Sequence, residues 1–208
     1  MAMVGEGVQF AREVRLVLEA IQATGGEAAG DCRDILGAMP ADLPPPRPGP
    51  KLKVAGLLDG ALGRANGTPL AALARAAAPI IRAAAWFDSP QYRDRGLDPR
   101  FFDNYGFVKF MGPGTNLPGR GVAAGFLMLG PDLLYPAHAH PARELYIVLS
   151  GTADWQRGEE GFLERRPGDT IVHPSWVRHA MRTRGETLLA MYFWTGDLET
   201  SARLLPDA

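Results

Sequence analysis

The stretch His138-Ala-His140-Pro-Ala-Arg-Glu144, followed after six further residues by Gly151, contains the pattern that decides the fold of this chain. The chain has 208 residues and 4 histidines, and all of these histidines lie between residues 138 and 179. Residues i and i+2 of an extended segment project to the same face, so His138 and His140 are predicted to point inward together. Glu144 then belongs to the predicted strand that leads to the turn glycine.

A second block supports the same interpretation. Residues 167–174 read Pro-Gly-Asp-Thr-Ile-Val-His-Pro, and one more histidine follows five residues after the block ends. Three imidazoles and one carboxylate suit Zn, Fe, Mn, Co or Ni, and such a set leaves coordination positions open for a substrate. His173 is interpreted as a structural residue or as a neighbour of the ligands. The sequence therefore predicts one divalent transition metal ion held by His138, His140, Glu144 and His179.

Around these motifs, after about Asn104, short runs of β-forming residues alternate with glycine and proline. Short strands at such regular intervals are typical of a small antiparallel barrel or sandwich. The stretch from Asp154 to Arg157 reads instead as a turn. The predicted strands cover residues 105–111, 122–129, 144–149, 161–164, 170–172, 179–183 and 188–194.

The first part of the chain reads as helical. Apolar residues recur at helical spacing over residues 8–24, and a shorter helix is predicted over residues 31–39. Thr68 followed by Pro69 predicts the beginning of an alanine-rich helix, because threonine is a common N-cap and proline suits the first helical position. Pro79 is predicted to kink or split that helix near its middle.

The two halves define the predicted organisation. Residues 40–50 are rich in proline and are predicted to form a stiff extended connector. We therefore predict an α+β fold in which a helical N-terminal region, residues 1–103, precedes a β-barrel, residues 104–208.

The two histidine motifs resemble those of the cupin superfamily, over roughly residues 106–194. This resemblance implies a double-stranded antiparallel β-barrel, or jelly roll. Within that superfamily the chain is similar to the cupin-type dimethylsulfoniopropionate (DMSP) lyases, which pair a helical N-terminal region with a C-terminal barrel. The residues that carry this similarity are the four predicted ligands together with Tyr146, Tyr135 and Trp194.

The resemblance implies a lyase that cleaves DMSP, or a related small carboxylate, by β-elimination to dimethyl sulfide and acrylate. In that family the metal holds the substrate carboxylate and a tyrosine removes a proton from the adjacent carbon. A nearby dication favours the phenolate form of tyrosine and absorbs the developing charge. Tyr146 is the first choice for this base and Tyr135 the second. Tyr192 and Trp194 are expected to bind the sulfonium group, because aromatic faces recognise such cations.

Two other hypotheses remain open at this point. The same ligands serve Fe(II)-dependent cupin oxygenases, for which iron-dependent oxygen consumption would be diagnostic. A non-catalytic cupin that binds a small molecule would keep the ligands and tolerate Tyr146→Phe without loss of binding.

Composition limits the partners. The net charge is -1, with 22 basic and 23 acidic residues, so no overall field attracts nucleic acid or an anionic membrane. Cys32 is the single cysteine, which excludes a disulfide framework. The N-terminus lacks a signal-peptide pattern and the most apolar stretch contains arginines and a proline, so a cytoplasmic location is expected. The expected partner is a small-molecule substrate, and a homodimer is possible because cupins often pair through sheet edges.

Overall fold

The structure, a computed structural model, describes residues 2–206. Its N-terminal part is helical and its C-terminal part is built from antiparallel strands, so the predicted α+β class is confirmed. Short 3-10 segments lie at Lys53–Leu57 and Pro90–Tyr92. The helices of the described residues are α1 (Ala2–Ala23), α2 (Ala29–Ala38), α3 (Leu58–Ala65), α4 (Ala71–Ala83) and α5 (Phe101–Asn104).

The strands form two sheets whose pairs are all antiparallel. One sheet has the order β1-β2-β3-β10-β5-β8 and the other β11-β4-β9-β6-β7. The strands are β1 (Trp86–Phe87), β2 (Tyr105–Met111), β3 (Val122–Leu129), β4 (Leu134–Ala139), β5 (Arg143–Ser150), β6 (Ala153–Arg157), β7 (Leu163–Arg165), β8 (Thr170–His173), β9 (His179–Thr183), β10 (Leu188–Thr195) and β11 (Arg203–Leu204).

The six-stranded sheet is buried on both faces. Its outer face packs on the helices, with Phe110 and Phe126 against Phe10 of α1. Its inner face meets the five-stranded sheet, where Tyr146 of β5 packs against Trp155 of β6. Sheets covered on both sides have nearly continuous apolar strands, which explains why β3, β5 and β10 show little alternation of apolar and polar residues.

Polar contacts tie the helices to this sheet. Arg143, at the beginning of β5, pairs with the buried Asp31 of α2, with its Nε 2.5 Å from the carboxylate. Arg143 therefore points toward the helices, away from the face of β5 that carries Glu144. The Ser150 hydroxyl, at the other end of β5, donates to the carbonyl of Ala61 at 2.7 Å. The division at residues 103 and 104 remains a prediction.

Two local predictions are wrong. The stretch from Asp154 to Arg157 belongs to strand β6, because the Asp154 carboxylate is buried and held by Arg182 and Arg184. The alanine-rich helix was predicted to begin with Thr68 as its N-cap and Pro69 as its first residue, but α4 begins at Ala71. The Thr68 hydroxyl accepts a hydrogen bond from the amide of Leu70 in the turn before the helix.

Other boundaries also differ. Helix α1 begins earlier than predicted, at Ala2, and α4 continues through Pro79 without a split. The strands β4 and β6 and the two-residue strands β1 and β11 were missed. Within residues 2–206, no helix has both the length and the hydropathy needed to span a membrane.

Candidate active site

A buried group of three possible ligands lies between the two sheets. One ligand atom each from His140, Glu144 and His179 lies within 4.8 Å of the others. His140 follows β4 and His179 begins β9, both in the five-stranded sheet, whereas Glu144 is the second residue of β5 in the six-stranded sheet. Glu144 Oε2 is 3.1 Å from His140 Nε2 and 3.6 Å from His179 Nε2. The two sheets thus bring together three of the four predicted ligands.

The imidazoles are oriented by the backbone. In each predicted ligand the Nδ1 atom lies at hydrogen-bond distance from a carbonyl two residues away, and a carbonyl can only accept. Each Nδ1 therefore carries the proton that it donates, and Nε2 is the ring atom that remains for a metal; that of His140 faces Glu144 Oε2 at 3.1 Å. The contacts are His138 Nδ1 to Pro136 O at 2.8 Å, His140 Nδ1 to Ala142 O at 2.9 Å and His179 Nδ1 to Val177 O at 2.9 Å.

One ligand atom of the group is consistent with a site that could hold a metal ion. His179 Nε2 is buried and has no hydrogen-bond partner within the described part of the chain. Burial, with the neighbouring His138 and His140, holds the pKa of His179 well below its usual value, so the ring is neutral at neutral pH. A buried acceptor without a partner is costly. A cation held between this nitrogen and the Glu144 carboxylate would remove that cost, and the donor set suits a transition metal.

His138 lies beside this group rather than in it. Its ring stacks on Tyr135, with centroids 4.0 Å apart, and lies 4.0 Å from the ring of His179. Burial lowers the pKa of His138 to about 3, although its hydrogen bond to the carbonyl of Pro136 opposes the shift. The prediction that His138 is a fourth ligand therefore remains a prediction.

His173 lies directly behind the group. It is opposite Glu144 in the register of β8 and β5, and its ring stacks on His179 with centroids 4.1 Å apart. Neither of its ring nitrogens has a hydrogen-bond partner among the described residues. Burial, followed by the charge of His179, holds the pKa of His173 well below its usual value.

Trp194 makes a contact that sequence reasoning missed. Its indole Nε1–H donates to Glu144 Oε1 at 2.6 Å, and its ring stacks on His140 with centroids 4.2 Å apart. The two residues are partners in the register of β10 and β5. Trp194 thus positions a predicted metal ligand, and the expected contact with substrate remains a prediction.

All 5 tyrosines of the chain belong to one buried cluster between the two sheets. Burial, followed by the charge of Glu144, raises the pKa of Tyr146 well above its usual value, and burial likewise raises that of Tyr135. The Tyr135 hydroxyl lies 3.2 Å from that of Tyr92, and the Tyr105 hydroxyl lies 2.7 Å from Ser89 Oγ. Sequence reasoning missed Tyr105, because it comes from β2, far from the motifs in the sequence.

These residues open into one cavity of about 520 Å³. Tyr135, Tyr146, Tyr192 and Trp194 line it together with His138, His140 and Glu144, so the predicted tyrosines and tryptophan do share one site. Its mouth is lined by residues 86–91, at and after β1, and by residues 198–202 near the C-terminus. The volume is in the range of cavities that bind small molecules.

A closed pair of antiparallel sheets that holds a buried His-His-Glu group in its interior defines a cupin barrel. The sequence profile of the dimethylsulfoniopropionate lyase family matches residues 41–190, which include helices α3 to α5 and most of the barrel. The chain belongs to this family.

Two curated relatives have similar sequences. Dimethylsulfoniopropionate lyase DddQ of Ruegeria pomeroyi is 37% identical over 112 residues, which is 53% of this chain and 55% of that protein. The putative dimethylsulfoniopropionate lyase DddL of Cereibacter sphaeroides is 24% identical over 129 residues, which is 61% of this chain and 52% of that protein. The chain spans about half of the length of the curated relatives that it matches.

Solved structures agree over most of the chain. The crystal structure of DMSP lyase DddQ from Ruegeria pomeroyi superposes with a TM-score of 0.75 at 28% identity, covering 94% of this chain and 95% of that one. A chain from the crystal structures of the DMSP lyases RdDddP and RnDddQII gives a TM-score of 0.72 at 25% identity, covering 94% and 100%. The similarity therefore includes the helical region as well as the barrel.

Proposed function

We propose that this protein is a metal-dependent lyase that cleaves DMSP, or a closely related small carboxylate, to dimethyl sulfide and acrylate by β-elimination. The observation that carries the proposal is one cavity lined by His140 and Glu144 of the His-His-Glu group, by Tyr135 and Tyr146, and by Trp194, in a chain of the DMSP lyase family.

His140, Glu144 and His179 would hold the metal ion, with His138 as the fourth ligand. When bound, a divalent cation supplies a Lewis acid for the substrate carboxylate and for the negative charge that develops on proton removal. Each of these histidines is held in the tautomer that leaves Nε2 available. The lowered pKa values of His138 and His179 support this role, because neutral rings do not have to release a proton before they bind a cation.

Tyr146 is the proposed base that removes the proton from the carbon next to the carboxylate, and Tyr135 is the alternative. Burial raises the pKa of both hydroxyls, so neither is a base until a cation lies close to it. The Tyr135 hydroxyl already lies against that of Tyr92, whereas Tyr146 follows Glu144 by two residues on the same face of β5. This difference favours Tyr146.

The remaining aromatic residues would bind the sulfonium end of the substrate. Tyr192 and Trp194 lie on the same face of β10 and line the cavity. A sulfonium group cannot donate a hydrogen bond, so aromatic faces are the appropriate surface for it.

The proposal is tested by loading the purified protein with Zn, Mn, Fe(II), Co or Ni, adding DMSP and measuring dimethyl sulfide in the headspace. We expect release that depends on the metal and is lost in His179→Ala and Tyr146→Phe. The matched control is Tyr92→Phe, which removes a hydroxyl of the same cluster that does not line the cavity.

The outcomes separate the parts of the proposal. Release that survives Tyr146→Phe but not Tyr135→Phe would move the base to Tyr135. No release with any of the metals would reject DMSP as the substrate.

A further inference from the structure

We propose that Lys109 and Tyr192 form an anion-binding subsite in the cavity wall, and that the cavity therefore binds small dicarboxylates more tightly than monocarboxylates of the same chain length. One carboxylate would lie at the His140–Glu144–His179 group and the other at this subsite. The preference rests on the carboxylate position of the proposed function, whereas the subsite itself does not.

Lys109 is an unusual residue for this cavity. Among the described residues, it is the one lysine or arginine that lines the cavity wall. Its Nζ lies 5.7 Å from the ring centroid of Phe87 and 6.0 Å from that of Phe107. Within the described part of the chain, its ammonium group has no hydrogen-bond acceptor and forms no salt bridge. The half-buried charge thus lies beside two stacked aromatic rings and is free to bind an anion.

The strand register brings a second donor to the same place. Lys109 of β2 pairs with Gly125 of β3, and Gly125 pairs with Tyr192 of β10. A Cβ atom on Gly125 would contact the backbone carbonyl of Val108 and would lie 2.6 Å from the Tyr192 hydroxyl. The glycine therefore lets the Tyr192 ring lie across β3 toward Lys109. Among residues 2–206 this hydroxyl has no hydrogen-bond partner, so an ammonium and a phenol are both available to one carboxylate.

The charge of the subsite selects the ligand. Burial lowers the pKa of Lys109, and the charge of Glu199 opposes the shift. Glu199 lines the same cavity from the C-terminal segment. A bound carboxylate would replace Glu199 as the nearest negative charge to Lys109, and it would accept charge-assisted hydrogen bonds from the ammonium group. The donors of the subsite would be the Lys109 ammonium and the Tyr192 hydroxyl, whereas the sulfonium group of the proposed substrate would meet the ring faces of Tyr192 and Trp194.

The test is calorimetric titration of the zinc-loaded protein with pairs of linear acids of equal carbon number, from succinate and butyrate to adipate and hexanoate. We expect at least one diacid to bind about tenfold or more tightly than its monoacid, since hydrogen bonds to charged groups have this magnitude. Lys109→Met should give the diacid and its monoacid equal affinities, and Lys109→Arg should keep the preference for the diacid. Glu199→Gln should increase the preference, because it removes a competing carboxylate.

The matched control is Lys53→Met, which removes an exposed lysine that pairs with Asp103 and does not line the cavity. Circular dichroism melting confirms that each variant is folded. Equal binding of every diacid and its monoacid, or no binding of either, overturns the inference, as does a preference that survives Lys109→Met. Dimethyl sulfide release is measured on the same samples, so the failure of the lyase proposal and of this inference are distinguished.

Discussion

The bond from Trp194 to Glu144 leads to a quantitative prediction about metal affinity. Trp194→Phe keeps an aromatic ring that can stack on His140 but removes the Nε1–H that donates to Glu144 Oε1 at 2.6 Å. The Glu144 side chain is only 2% exposed, so water cannot easily replace the lost donor. Hydrogen bonds to charged groups contribute about 1.5–3 kcal/mol.

That loss corresponds to a metal dissociation constant about tenfold to a hundredfold higher in Trp194→Phe. The constant is measured by competition with a chromophoric zinc chelator, without any substrate. Trp86→Phe is the matched control, because the indole nitrogen of Trp86 is buried without a partner among the described residues. That variant loses no hydrogen bond and should keep the wild-type affinity.

A wild-type dissociation constant in Trp194→Phe would refute the idea that the indole positions Glu144. A higher KM for DMSP with unchanged metal affinity would instead indicate that Trp194 acts only on the substrate. If both variants lose affinity equally, the effect belongs to packing of the barrel rather than to the hydrogen bond.

Three further predictions concern stability and reactivity. Removal of metal with a chelator should lower Tm, and adding zinc back should restore it, because His179 Nε2 then regains a partner. Asp154→Asn should cost about 1–2 kcal/mol in the free energy of unfolding at neutral pH, because it weakens the charged hydrogen bonds from Arg182 and Arg184, whose exposed guanidinium groups water can solvate. Burial alone would raise the pKa of Asp154, but the hydrogen bonds from these arginines hold it below its usual value. The carboxylate therefore stabilises the protein above the unfolded pKa of about 3.9, and the difference between variant and wild type in chemical denaturation should shrink as the pH falls below about 4. Cys32 should react slowly with iodoacetamide in the folded protein and rapidly after denaturation. Burial, with the charge of Asp31, raises the pKa of its thiol to about 11. Equal rates in the two states would show that the thiol is accessible in the folded protein.

The metal-ligand motif could be predicted from sequence because its geometry is local. The spacing of His138 and His140 on an extended segment, and of Glu144 and Tyr146 on the next strand, already determines which side chains share a face. The strands 105–111, 122–129 and 179–183 were predicted with their observed bounds, because glycine and proline mark their ends.

The other parts of the site depend on strand order, which local patterns do not contain. Trp194 reaches Glu144 because β10 lies beside β5, although 50 residues separate the two in the chain. Lys109 enters the cavity because β2 belongs to the same sheet, two strands from β10. Strand β6 was mistaken for a turn because the pairing of Asp154 with arginines of other segments makes a polar residue acceptable in a buried position.

The burial of the six-stranded sheet on both faces has a consequence for how the chain avoids misfolding. A shift of β5 by one residue would turn Glu144 toward the helices and Leu145 into the cavity. Because both environments are largely apolar, exposure of hydrophobic surface would not oppose this error. What opposes it is the cost of moving a carboxylate from the cavity into the apolar core between the sheet and the helices. Glu144, a proposed metal ligand, thus also favours the native alignment of β5 over the alignment shifted by one residue. A variant without this carboxylate would lose that preference in folding as well as the metal ligand.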